Sequence, residues 1–242
     1  IFEMSWTKKY GNLLKNDPRF IVPQTYPDLT TSRIIATSYE PGLAIDSEEI
    51  KSLSQDRRNK IALNALDLYF KELFLWGFVQ TDPHIGNYKI RLDTSTKDQV
   101  DKIILYDFGA VREFTPEFLT SYRGLIRSAL KNDIVTMEKY SIQLKFLYPD
   151  DSQELKNLFF QFCTTMVEPF QGENYNWSDT DIPKRLTQMI GKILAQFKVR
   201  APPREVIFLD RKTTGVFIFL SILGAQINAQ ALIQSYLDEE PI

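Results

Sequence analysis

The stretch from Gln80 to Ala110 constrains this chain more than any other. It reads QTDPHIGNYKI, passes through a polar loop and ends in DKIILYDFGA. Asp82 is followed by Asn87, and the apolar run Ile103-Ile104-Leu105-Tyr106 then delivers Asp107-Phe108-Gly109. Two short runs of strand-forming residues flank the polar loop, so the spacing predicts a β-hairpin that returns Asp107 to the neighbourhood of Asn87.

An Asp-Phe-Gly turn after a buried strand is common by itself. Here it stands in a fixed order with an earlier Asp, an Asn and a hairpin, which is the order of parts in a kinase catalytic centre. Magnesium accepts only one or two protein oxygens beside nucleotide phosphates, so an Asn and an Asp suffice for an Mg²⁺-ATP clamp. Asn87 and Asp107 are the candidate metal and nucleotide residues, and Asp82 is the candidate catalytic residue facing the acceptor. Gly109 is expected to permit a sharp turn after Asp107, with Phe108 as its apolar anchor. The His-Arg pair that precedes the catalytic Asp of ordinary protein kinases is replaced by Gln80-Thr81.

That departure is itself specific: QTDPHIGNY closely resembles the catalytic loop of the UbiB family of atypical, protein-kinase-like ATPases. DPRFIVPQTYPDLTTSRIIATSYEPG (Asp17 to Gly42) is similar to that family's approach to the hinge between lobes, and APPREVIFLDRKTTGVF (Ala201 to Phe217) to its C-terminal RK-x-x-G segment. Carried over by position, the resemblance makes Asp82 the catalytic-loop Asp, and Asn87 and Asp107 the metal ligands. It implies ATP and Mg²⁺ as cofactors, and phosphoryl transfer or ATP hydrolysis in support of ubiquinone biosynthesis. Implied partners are the nucleotide and quinone-biosynthesis proteins or lipids at a membrane surface. A reading from another class is a nucleotide-binding, pseudokinase-like switch or scaffold with no phosphoryl acceptor.

Composition bounds these readings. A chain of 242 residues with 43% hydrophobic content can bury a sizeable core. A net charge of −2 argues against a nucleic-acid surface. The single cysteine, Cys163, lies in a helical apolar pattern and has no internal partner for a disulfide, which points to an intracellular, reducing compartment such as bacterial cytoplasm or mitochondrial matrix. No signal-peptide pattern opens the chain. His84, the sole histidine, lies two residues after Asp82 and reads as a hydrogen-bonding residue that shapes the loop.

Along the chain, a helix is expected over Glu3 to Lys15, then strands at Phe20-Ile21-Val22 and Ile34-Ile35-Ala36. If the second strand is the hinge, backbone groups of Thr37, Ser38, Tyr39 and Glu40 meet the adenine edge. A long helix from Ser54 to Trp76, closed by Gly77, leads into the catalytic loop. Arg91 to Asp101 reads as a solvated loop. Helices follow over Glu117–Lys131, Ile134–Phe146, Ser152–Val167, Ile182–Phe197, Arg204–Leu223 and Ala229–Asp238, with Asp133, Asp151 and Asp181 as caps and Glu168 to Thr180 as a loop.

The apolar run Gly215 to Leu223 is well short of the ~20 residues of a spanning helix, so a core helix and no transmembrane segment are expected, flanked by a solvated Asp210-Arg211-Lys212. No Gly-rich phosphate loop, no Lys-bearing strand of the Val-Ala-Ile-Lys type and no Glu to pair with such a Lys is evident. The expected fold is mainly α with a small β component: a protein-kinase-like C-terminal lobe with a catalytic-loop β-hairpin. In this reading 1–42 is a remnant of the N-lobe and hinge, 43–242 is the helical C-lobe, and most of the N-lobe is absent.

Overall fold

The computed structural model describes residues 2–95, 99–172, 174–196 and 204–238. The first helix, α1 (Phe2–Leu14), ends ahead of Pro18 and buries Trp6 and Tyr10. Their rings lie 5.0 and 5.4 Å from that of Phe78. The chain then forms β1 (Phe20–Ile21), a 3₁₀ turn at Pro27–Leu29 and β2 (Leu43–Ala44). Ile34-Ile35-Ala36, expected as a strand, is not one. Tyr26 N–H donates to the Ala36 carbonyl, and Thr25 and Thr37 form a single bridge. Ile34 is 64% exposed, so this stretch has no apolar face on which a strand could be held.

After a short helix α2 (Glu48–Lys51), α3 (Gln55–Phe70) starts at Ser54, whose hydroxyl accepts from Arg57 N–H. The long helix expected as far as Trp76 changes pitch: Lys71–Trp76 is a π-helical turn, closed by Gly77 at φ 71°. That left-handed geometry suits glycine. The widened turn buries Glu72, Leu73 and Phe74 together.

Next come β3 (Phe78–Gln80), β4 (Tyr88–Arg91), β5 (Lys102–Leu105) and β6 (Val111–Glu113). β4 and β5 are the expected hairpin, with Tyr88 opposite Leu105. They are the centre of a four-stranded sheet in the order β1-β5-β4-β2, in which β1 runs parallel to β5. β3 and β6 make a separate antiparallel pair that the sequence did not reveal, because strands of three residues leave no alternation to read. The loop between β4 and β5 is less solvated than expected at its end. Asp101 is buried and takes a bidentate pair of hydrogen bonds from Arg57 at 2.5 and 2.8 Å.

The second half is helical: α4 (Pro116–Leu130), α5 (Ile134–Gln143), α6 (Gln153–Val167), α7 (Ile182–Gln196), α8 (Arg204–Ile222) and α9 (Gln230–Asp238). Thr115, Asp133 and Ser152 accept from the N–H three residues on, as N-caps do. Ser152 therefore caps α6 in place of Asp151, whose carboxylate accepts from Tyr148 N–H instead. Asp181 contributes its carbonyl to Arg185 N–H, while the Thr180 hydroxyl accepts from Ile182 N–H. α5 stops short of Phe146 because the chain reverses through Lys145 at φ 58°. Phe197 and Ala201 to Pro203, parts of two sequence expectations, lie outside the described residues.

Glu168 to Thr180 is more than a loop. It contains two 3₁₀ turns and β7 (Tyr175–Asn176), which pairs with β8 (Gln226–Ile227). Trp177 fixes it, fully buried with its ring 5.0 Å from that of Phe217. Val216, Phe217, Phe219 and Leu220 of α8 are buried, and among the described residues no helix is long and apolar enough to cross a membrane. The architecture is mainly helical with small sheets, a kinase-like lobe.

Candidate active site

The catalytic loop leaves β3 and is fastened to the Asp107 segment at once. Thr81 donates its backbone N–H and its hydroxyl to the Ala110 carbonyl, at 3.1 and 2.7 Å. Asn87 N–H donates to the His84 carbonyl, and His84 Nδ1 accepts from Gly86 N–H at 3.0 Å. The histidine thus has the loop-shaping role expected of it. Tyr106 N–H reaches the Asn87 carbonyl at 3.1 Å and closes the hairpin one residue before Asp107.

These bonds bring the three expected polar residues together. Asn87 Nδ2 donates to Asp82 Oδ2 at 3.2 Å. With the nitrogen so committed, the Asn87 amide oxygen is the atom left for a cation. Asn87 and Asp107 line the same small cavity, beside Tyr106, Phe108, Gln80 and Lys212. Asp107 Oδ1 accepts from Gly109 N–H at 2.7 Å, and Phe108 is buried with its ring 4.5 Å from Tyr10. Gly109 does not take a positive φ, so the reason for glycine differs from the one expected. A Cβ there would lie 3.2 Å from Asp107 Oδ1, crowding that carboxylate, and in ordinary contact with Glu3 Oε2 at 3.8 Å.

Glu3 shows why α1 matters, since it places a helix-borne carboxylate beside Asp107. Its carboxyl is raised above the usual range by partial burial and by the charge of Asp107. A helix-borne Glu beside the Asp of a DFG turn is the arrangement kinases use to hold a phosphate-pairing Lys.

The Thr37-to-Glu40 strip is anchored to the hairpin. Ser38 N–H donates to the Gln24 carbonyl at 2.8 Å, and Glu40 pairs with Arg91 at 2.8 Å. The Tyr106 hydroxyl donates to the Glu40 carbonyl, and Tyr39 is 84% exposed. Thr37 is held in its bridge to Thr25.

In the Asp210-Arg211-Lys212 run, expected as a solvated flank, Arg211 is exposed but its two neighbours are not. Lys212 is buried, with Nζ 3.1 Å from both Glu72 Oε2 and the Tyr88 hydroxyl. Burial alone would depress this ammonium, but the Glu72 carboxylate and the Tyr88 oxygen raise it well above the usual lysine range. Glu72 Oε1 accepts from the Tyr10 hydroxyl at 2.6 Å and from Gln80 N–H at 3.3 Å. One buried ion pair therefore joins α8, the π-helical turn, α1 and the entrance to the catalytic loop. Arg211 points to the same side, with Nη2 3.6 Å from Asp82 Oδ1. Sequence inspection missed Glu3 and Glu72, and it quoted Arg211 and Lys212 in the RK-x-x-G segment without assigning them these contacts. A Lys followed by a Gly three residues later inside a helix was the available signal, since a helical Gly often marks close packing.

Residues 2–141 match the ABC1 atypical kinase-like domain. The chain belongs to that family. Its ABC1 relatives include the mitochondrial atypical kinase COQ8 of Saccharomyces cerevisiae, 31% identical over 230 residues, covering 94% of this chain and 44% of the relative. The mitochondrial COQ8B of Rattus norvegicus is 31% identical over 233 residues, covering 96% and 42% respectively. The probable serine/threonine-protein kinase abkA of Dictyostelium discoideum is 30% identical over 223 residues, covering 89% and 38%. The chain thus spans less than half the length of these relatives. A Mycobacterium tuberculosis protein solved with erythromycin shares the fold, at TM-score 0.68 and 19% identity, covering 99% of this chain and 56% of that one. The UbiB resemblance read from the catalytic loop agrees with this ABC1 membership.

Proposed function

We propose that this chain carries the magnesium-nucleotide centre of an ABC1-type atypical kinase or ATPase. The observation that carries the reading is the convergence of Asn87 and Asp107 on one cavity, with Asp82 hydrogen-bonded to Asn87. Two oxygen donors of this kind fit Mg²⁺, which takes its remaining ligands from phosphate and water. When bound, the ion would neutralise charge on the phosphates of ATP.

In this reading Asp82 orients a hydroxyl or a water toward the terminal phosphate and accepts its proton. Arg211, beside Asp82, places a cation where transferred phosphate charge would gather. Glu3 serves as partner for a phosphate-pairing Lys, and backbone groups of Thr37, Ser38, Tyr39 and Glu40 serve the adenine edge. Residues 1–42 then belong to the N-lobe and hinge, and 43–242 to the C-lobe. β6 passes almost directly into α4, which leaves little platform for a peptide and favours a small acceptor or water. The names of the COQ8 relatives support a place in a mitochondrion, and the UbiB resemblance of the catalytic loop supports a role in ubiquinone biosynthesis.

The same short connection favours the second reading, a nucleotide-bound switch that transfers nothing. Phosphate release from ATP separates the two. The site itself is tested by calorimetric titration of ATP with and without Mg²⁺. Asp107→Asn is expected to remove the magnesium-dependent part of binding while the fold persists, and undiminished magnesium-dependent binding in the variant would overturn the assignment.

A further inference from the structure

Away from the catalytic loop, α3, α4, α6 and α8 enclose a cavity of about 80 Å³ whose walls are almost wholly apolar. Aromatic rings dominate them, including Phe74, Tyr122, Phe159, Phe162, Phe170 and Phe217. Among the described residues one charged side chain enters this lining, Asp210 of α8. The residue is half-buried, and its Oδ1 is shielded from solvent with no hydrogen-bond partner among the described residues. The adjacent cations are committed elsewhere, Arg211 to Asp82 and Lys212 to Glu72.

A carboxylate held in an apolar wall is costly unless a cation or donor meets it. Aromatic faces around such a carboxylate also attract a cation. The volume sets the size of the occupant, being about half the roughly 150 Å³ of an engineered cavity that accepts benzene. From the charge, the aromatic walls and the volume, we infer that this cavity is a binding site for a short-chain alkyl ammonium ion, with the ammonium on Asp210 and the chain among the rings. Burial raises the Asp210 carboxyl to about 6, as expected for a group awaiting a counter-ion. The inference does not depend on the nucleotide reading.

The test is a calorimetric titration of the chain at pH 7.5 with ethylamine hydrochloride, set against ethanol as an uncharged molecule of the same shape. Saturable binding of the amine is expected, at least tenfold tighter than the alcohol. Asp210→Asn should erase that preference. Equal affinities for amine and alcohol in the unmodified chain would overturn the inference, as would the absence of a saturable amine response. Amine binding unaffected by Asp210→Asn would also overturn it, by placing the amine on other carboxylates. The comparison of the two ligands on the unmodified chain stands even if the variant fails to fold.

Discussion

Gly215 of α8 backs directly onto Pro83 of the catalytic loop, so closely that a Cβ at Gly215 would lie 1.9 Å from the Pro83 Cβ. Pro83 follows Asp82, and Lys212 and Arg211 lie one turn before Gly215 on the same helix. The contact therefore sets the distance between α8 and the loop that carries Asp82. The RK-x-x-G segment acts as one unit: Arg211 reaches Asp82, Lys212 holds Glu72, and Gly215 lets the helix come near enough for both.

Gly215→Ala should accordingly separate the helix from the loop. Overpacking of this kind costs about 1–3 kcal/mol. A lower midpoint of urea unfolding is expected, together with a loss of magnesium-dependent ATP binding larger than the loss of stability would explain. An unchanged midpoint would mean that Pro83 can give way.

Asp82→Asn should behave differently from Asp107→Asn. In the proposed reading Asp82 faces the acceptor, and its partner Asn87 can still be met by an amide, so ATP binding should persist. Phosphate release should fall by about 10²-fold or more, the usual scale for a lost general base. Parallel titrations and phosphate assays check this division of labour, and equal loss of binding in the two variants would refute it.

Lys212→Met should be among the most damaging single changes. It leaves the Glu72 carboxylate buried without its cation, a situation that costs about 3–5 kcal/mol. Adding Glu72→Gln should restore much of the stability, because the amide oxygen still accepts from Tyr10 and Gln80 N–H while the buried charge is gone. Denaturant titrations of both variants provide the measurement, and a double variant no more stable than the single one would contradict the ion-pair account.

The pH dependence should carry the signature of Asp210. Its carboxyl is raised from 3.8 to about 6 by burial. The neutral form is thus favoured by folding, and the stability it contributes is fully present below pH 3.8 and lost as pH climbs through about 6. A shift of that size corresponds to at most about 3 kcal/mol. Asp210→Asn should raise the melting temperature at pH 7.5, and the gap between variant and parent should narrow as pH falls toward 4.5. A gap independent of pH would show that the carboxyl is not perturbed.

Local order was the legible part of this protein. The Asp82, Asn87 and Asp107 spacing, the caps at Thr115 and Asp133, and Gly77 after Trp76 are each decided by neighbours a few residues away, so the sequence displays them openly. The same holds for most helix spans, where apolar periodicity covers several turns. Ile34 to Ala36 misled because three apolar residues in a row look like a strand whether or not a neighbour exists to pair with them.

The sequence by itself determined the catalytic hairpin, the helical character of the second half and the membership in a family of atypical kinases. Tertiary structure alone decided which charges are buried. Nothing in the run Asp210-Arg211-Lys212 distinguishes three solvated charges from what is found: a carboxylate facing an apolar cavity, an arginine at Asp82 and a lysine sealed against Glu72. Helical geometry turns consecutive residues by roughly 100° each, so adjacent side chains meet different neighbours. Those neighbours, Asp82 and Glu72 among them, are supplied by segments far away in the chain, and only folding brings them into contact.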